Sequence, residues 1–303
     1  MRSVFTGVGT ALVTPFTSSG ALDEAAVKRL AKRQVDAGVH FLVPCGTTGE
    51  TPTLSDAERR KIVEIVAGEA NGRALVMAGA GGYDTKEVIH AVAEMTKAGA
   101  QGILSVTPYY NKPTPEGLYQ HYKAIASSTS LPIVVYNVPG RTGCNVDAVT
   151  LARLATIPNI VGVKEASGNM TQMAEICHAV PKDFIVLSGD DALTLPLMAI
   201  GGKGIISVAS NEAPAEMVQM VEAAERGNFS EARQWHHKLL PLMQVNFVES
   251  SPGPVKFAMA SMGLCELSYR LPMVPPKAAS QEKVLAVLKE FGMPIVTGAT
   301  ARA

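Results

Sequence analysis

Between residue 7 and residue 226 the chain alternates short apolar runs with longer amphipathic stretches, eight times over. The runs are Val8–Val13, Val39–Pro44, Ala74–Ala78, Gly102–Thr107, Ile133–Tyr136, Ile160–Lys164, Phe184–Ser188 and Gly204–Val208. They are nearly continuous in Val, Ile and Leu, as suits parallel strands covered on both faces. Three of the stretches between them carry helix boundaries. Asp23–Asp36 has Asp23 as N-cap and Gly38 just past its end. Ser55–Ala67 opens on an S-x-x-E capping box, Ser55 with Glu58. Asp84–Lys97 follows a Gly-rich turn and stops at Gly99. Eight such units predict an α/β fold, a closed (β/α)8 or TIM barrel. A doubly wound open sheet is the alternative, because alternation alone does not show closure.

After residue 226 the alternation stops. Phe229–Val248, Pro254–Met262 and Gln281–Glu290 read as helices, separated by Ser-Ser-Pro-Gly and a Pro-Pro segment. The expected division is a catalytic barrel over 1–226 and a helical C-terminal region over 227–303, frayed after Pro294. That region offers no obvious chemistry.

Charge and composition narrow the partners. The 27 Lys and Arg balance the 27 Asp and Glu, so no global field draws nucleic acid or an anionic membrane. No run reaches the roughly 18 apolar residues of a membrane span. The N-terminal stretch, broken by Gly, Thr and Pro, lacks the pattern of a secretory signal. Cys45, Cys144, Cys177 and Cys265 are isolated, which suits reduced thiols in a cytoplasmic protein. A small-molecule partner is the expectation.

The most informative residue is Lys164, where the apolar run Ile160–Val163 ends in a lysine followed by Glu165-Ala166-Ser167-Gly168. The C-terminal ends of barrel strands open onto the active-site face. An amine partly withdrawn from water there can attack a carbonyl. A structural lysine paired with a carboxylate is the plainer reading. Other strand ends weigh against it. Cys45-Gly46-Thr47-Thr48-Gly49-Glu50 offers approachable backbone N–H groups and two hydroxyls, suited to a small carboxylate, although an ordinary strand-to-helix turn has the same look. Tyr136-Asn137-Val138-Pro139-Gly140-Arg141 offers a phenol for proton exchange and a guanidinium for a carboxylate. Tyr109 and Tyr110 follow the fourth run; loop tyrosines more often serve as packing residues.

Taken in order and spacing, GTTGE, YNVPGRTG and VGVKEASGN closely resemble the pyruvate-dependent class I aldolases, the family of dihydrodipicolinate synthase and N-acetylneuraminate lyase. The likeness runs from Phe5-Thr6-Gly7 to Leu271-Pro272-Met273, and TPYYNKP with YNVPGRTG lies on the synthase side. The resemblance implies a Schiff base between Lys164 and pyruvate, with Tyr136 as proton donor and acceptor. It implies that Thr47 links Tyr136 to Tyr110 in a proton relay, the second tyrosine reaching in from a neighbouring subunit. A homotetramer of tight dimers follows. Thr48 would hold the pyruvate carboxylate, the backbone at Ile206 would help enclose it, and Gly189 at the end of the seventh run joins this binding set. Arg141 would receive the carboxylate of L-aspartate 4-semialdehyde. The implied product is 4-hydroxy-tetrahydrodipicolinate, a precursor of diaminopimelate and lysine, made without metal or organic cofactor. In lysine-inhibited relatives the effector site includes groups corresponding to Tyr83, Glu87 and Tyr109. Here Asp56 and Arg59 stand where strongly inhibited forms tend to carry histidine, and Tyr83 replaces a smaller polar residue. Weak or absent lysine inhibition is expected.

Other readings compete. A metal-dependent aldolase needs clustered ligands, and the six histidines form no HxH or HExxH pattern. Pyridoxal phosphate would need an anion site after the seventh and eighth runs, where Asp190 and Asp191 would repel it. Cys45 as a nucleophile has no identifiable histidine partner, so a buried cysteine is the default. A non-catalytic binding module on the same fold, and an aldolase for a sugar acid or 4-hydroxy-2-oxoglutarate, remain the functional alternatives.

Overall fold

A computed structural model describes residues 5–296. The strands are β1 (Gly7–Ala11), β2 (Phe41–Val43), β3 (Leu75–Gly79), β4 (Gly102–Val106), β5 (Ile133–Asn137), β6 (Ile160–Glu165), β7 (Ile185–Ser188) and β8 (Gly204–Ser207). Each is parallel to the next, and β1 pairs with both β2 and β8, so that Gly9 faces Phe41 on one side and Ile206 on the other. That double pairing closes the barrel and removes the open-sheet alternative.

Strand alternation sorts the apolar side chains into two cores. Phe41, Val43, Met77, Leu104, Val134, Tyr136, Val161, Ile185, Leu187 and Ile206 pack inside the barrel. Phe41 is wholly buried, a burial that contributes about 1.5–3 kcal/mol. It fits only because Gly9 lacks a side chain, since a Cβ there would lie 2.1 Å from the Phe41 ring. The outward-facing set, among them Val8, Leu42, Val76, Ile103, Val135 and Val163, packs under the helices.

Those helices are α1 (Glu24–Asp36), α2 (Asp56–Ala70), α3 (Thr85–Lys97), α4 (Pro115–Ser127), the single turn α5 (Pro139–Thr142), α6 (Ala148–Leu154), α7 (Met170–Ala179), α8 (Thr194–Ala199) and α9 (Pro214–Glu225). Asp23 and Asp84 cap α1 and α3 through their side chains, and Ser55 and Glu58 form the capping box of α2. α2 runs three residues beyond the expected Ala67, because Asn71 takes the left-handed conformation that ends it.

Three more helices complete the chain: α10 (Phe229–Val245), α11 (Gly253–Ser261) and α12 (Ala278–Phe291). α10 stops short of the expected Val248, at the point where Asn246 turns its amide to donate to the buried Glu212 carboxylate at 2.6 Å. α12 begins three residues before Gln281 and ends at Gly292 in the left-handed region. Leu239, Leu242, Val284 and Leu288 belong to the same apolar core as the barrel's outer face. The tail expected to fray after Pro294 is still tied at Val296, whose N–H donates to the Ser261 carbonyl at 2.9 Å, and residues 297–303 lie outside the described part. No described helix is long and apolar enough to cross a membrane.

Candidate active site

The C-terminal ends of β5 and β6 stand side by side, with Tyr136 opposite Lys164 and Asn137 opposite Glu165. Alternation then decides which way each pair faces. Tyr136 and Lys164 point into the barrel mouth, both buried, with the lysine Nζ 4.3 Å from the centre of the phenol ring. Asn137 and Glu165 point outward into a polar knot. Asn137 donates to the Glu165 carboxylate at 2.8 Å, the Ser167 N–H donates to its other oxygen at 2.7 Å, and Gln172 and Asn145 close the network. Sequence reading missed this knot, although its signal was present: the residue after each inward group on a strand must face the helices. Among the described residues no carboxylate pairs with Lys164, unlike the buried Lys256, which meets Glu50.

The GTTGE segment follows β2 as two short 3-10 turns, Thr47–Gly49 and Thr51–Thr53, flanked by left-handed Cys45 and Glu50. Thr14 Oγ1 donates to the Gly49 carbonyl at 2.7 Å, and the Thr51 hydroxyl donates to the Cys45 carbonyl. The Cys45 thiol is buried and pushed up to about 12 by desolvation, so it serves packing rather than nucleophilic attack.

A cavity of about 250 Å³ opens between these loops, lined by Thr47, Leu104, Val106, Tyr109, Tyr136 and Arg141 among others. Thr48 is buried on the turn beside Thr47. Gly189 sits behind the lysine, where a Cβ would lie 3.0 Å from Lys164 Cε. Ile206 lies in the barrel interior with Tyr136. Arg141 rides on α5, and its Nη2 donates to the Ser251 carbonyl at 3.0 Å, so the C-terminal region reaches the site after all. Tyr110 does not join the cavity of its own chain; at positive φ and 91% exposure it is turned outward.

A second cavity, of about 400 Å³, is lined by Tyr83, Glu87 and Tyr109, together with Asp56, Arg59 and His90. The Tyr83 and Tyr109 rings meet edge to face with centroids 5.1 Å apart. Thr51, Pro52, Gly81 and Tyr109 form a wall common to both cavities.

Among the described residues no group of three or more His, Cys, Asp or Glu converges as a metal cage. Where a barrel would cradle a phosphate, the buried Asp191 already accepts from Ser207 Oγ at 2.5 Å and from the N–H groups of Val208 and Ala209 at 3.0 and 3.3 Å. Burial pushes its carboxyl above the usual range.

The chain is 50% identical over 288 residues to the 4-hydroxy-tetrahydrodipicolinate synthase of Koribacter versatilis, covering 95% of this chain and 96% of the relative. It superposes on the crystal structure of dihydrodipicolinate synthase from Aquifex aeolicus with a TM-score of 0.94 at 43% identity, over 96% of this chain and 99% of that one. The chloride-inhibited dihydrodipicolinate synthase of Acinetobacter baumannii complexed with pyruvate is similar as well, with a TM-score of 0.93 and 40% identity over 95% and 99% of the two chains. The sequence pattern of the dihydrodipicolinate synthetase family matches residues 4–291, and the chain belongs to that family.

Proposed function

We propose that the protein condenses pyruvate with L-aspartate 4-semialdehyde to give 4-hydroxy-tetrahydrodipicolinate, a lyase of the class I aldolase type in the diaminopimelate route to lysine. The observation that carries this reading is the buried Lys164 beside Tyr136 at the barrel mouth. The Lys164 amine attacks C2 of pyruvate and water leaves, giving a protonated imine. Loss of a C3 proton then yields the enamine, which attacks the aldehyde carbon and forms the new carbon–carbon bond. The amine of the second substrate displaces Lys164 by transimination and closes the ring. One water is released overall. Tyr136 moves the protons. Thr48 receives the ketoacid carboxylate, with Ile206 and Gly189 enclosing it, Thr47 links Tyr136 to Tyr110 in the proton relay, and Arg141 binds the semialdehyde carboxylate.

Tyr110 completes the relay of a second copy, in a homotetramer of tight dimers; its outward turn supports this. The barrel, expected over 1–226, carries the chemistry, and the described part of the C-terminal region, 227–296, packs against it. Four free thiols suit a cytoplasmic location. Tyr83, Glu87 and Tyr109 line an amino-acid-sized cavity, but Asp56 and Arg59 pair with each other at 2.5 Å beside it, and micromolar L-lysine is expected to leave the rate unchanged.

Borohydride reduction with pyruvate, followed by peptide mass spectrometry, tests the reading. The expected result is a pyruvyl adduct on Lys164 and turnover with the semialdehyde. A protein that cleaves N-acetylneuraminate and ignores the semialdehyde would be a sugar-acid aldolase, and one that forms no adduct would be a binding module.

A further inference from the structure

Glu50, the last residue of GTTGE, does not face the cavity. Its backbone is left-handed, at φ 53, and it joins the Thr47–Gly49 turn to the Thr51–Thr53 turn. Its N–H donates to the Thr47 carbonyl at 3.1 Å, so the conformation of Glu50 and that of Thr47 are one geometry. Its carboxylate is driven into the protein, 1% exposed, and meets Lys256 Nζ of α11 at 2.5 Å. The lysine is 0% exposed, with its Nζ 4.1 Å from the Phe16 ring centre and 5.3 Å from that of Tyr269. The other Glu50 oxygen accepts from the Arg270 N–H at 3.4 Å. The Arg270 guanidinium continues the grip, donating to the Thr53 carbonyl at 2.9 Å and to both oxygens of Glu58.

A buried ion pair is a poor way to gain stability alone, because apolar groups of the same volume serve as well or better. What it adds is direction: a carboxylate with no water around it must sit where its cation sits. We propose that Glu50, clamped by Lys256, is a positioning residue that fixes the Thr47–Gly49 turn, and with it the Thr48 hydroxyl that receives the ketoacid carboxylate. The C-terminal region therefore takes part in substrate binding without touching substrate. This rests on the assignment of Thr48 to the ketoacid.

A double-substitution cycle tests it with Lys256→Met, Glu50→Gln and the two combined. Each of the three is expected to raise the pyruvate KM on the order of 10- to 100-fold, with the semialdehyde KM within about twofold, and the double variant no worse than either single one. The double variant carries no lone buried charge, so it is read by itself if a single variant does not fold. Amide hydrogen exchange over residues 47–54, measured without substrate, should quicken in every folded variant. A folded variant with an unchanged pyruvate KM, equal rises in both KM values, or additive effects would overturn the proposal, as would unchanged exchange. If exchange quickens but the parent protein forms no pyruvyl adduct, the assignment of the reaction has failed and the clamp has not.

Discussion

Tyr136 and Lys164 are register partners across β5 and β6, with the lysine Nζ 4.3 Å from the phenol ring. Strand pairing, not loop conformation, sets that approach. Two groups held by one ladder keep their spacing, as the roles proposed for Lys164 and Tyr136 require.

Tyr136→Phe keeps the ring against the lysine and removes only the hydroxyl. We expect kcat to fall roughly 10²- to 10⁴-fold, while borohydride still traps some pyruvate on Lys164. Steady-state rates and adduct mass check both; a kcat near the parental value would show that the protons travel elsewhere.

Arg141→Ala deletes a guanidinium that borders the cavity and is steadied by the Ser251 carbonyl. A lost charge-assisted hydrogen bond of about 1.5–3 kcal/mol corresponds to a rise of roughly 10- to 100-fold in semialdehyde KM. Adduct formation with pyruvate should be untouched. Equal loss with both substrates would mean that Arg141 shapes the loop rather than binding the second substrate.

Gly189→Ala places a methyl group 2.5 Å from the Ala166 Cβ and 3.0 Å from Lys164 Cε. Crowding of this kind costs about 1–3 kcal/mol, and the flexible lysine chain is the neighbour that can yield. Slower trapping of pyruvate than in the parent, with a modest fall in melting temperature, is the expected pair of results. Parental trapping rates would show that the lysine has room to spare.

His121 supplies a pH dependence with a definite sign. Its Nδ1 lies 2.9 Å from Thr85 Oγ1, and its Nε2 is buried without a partner. Burial pushes the imidazole from 6.5 down to about 4, against a weaker pull from Asp84. The unfolded chain therefore binds a proton near pH 6.5 that the native state refuses until about pH 4. The stability held by the neutral ring is complete above that window and is lost as pH falls through it. Melting curves for the parent and His121→Gln should converge as the pH drops from 7 toward 4; a constant gap would mean that His121 does not titrate in this way.

The barrel was legible because each strand had to be apolar on both faces, and because Asp23, Ser55 and Asp84 announce their helices. Lys164, Tyr136, Thr47 and Arg141 stood out in the sequence as strand-end residues; Thr47, Tyr136 and Arg141 line one cavity, and Lys164 meets it through the Tyr136 ring. Tyr110 was legible as a residue type, but its outward turn depends on a left-handed backbone that a tyrosine does not advertise. The Glu50–Lys256 pair escaped notice for another reason. Its partners look like ordinary charged residues, and only the path of the chain after the barrel brings them together. The Ser251 carbonyl that steadies Arg141 is a backbone atom and carries no signature at all.

The Glu50–Lys256 contact also sets an order of events for the nascent chain. The two residues are 206 positions apart. At roughly 5–20 residues per second, a ribosome delivers the carboxylate about 10–40 s before the cation that neutralises it. A lone carboxylate is costly to bury, so through that interval the segment after β2 is expected to stay in water. The turn that carries Thr47 and Thr48 is thus expected to take its final form only after α11 has emerged.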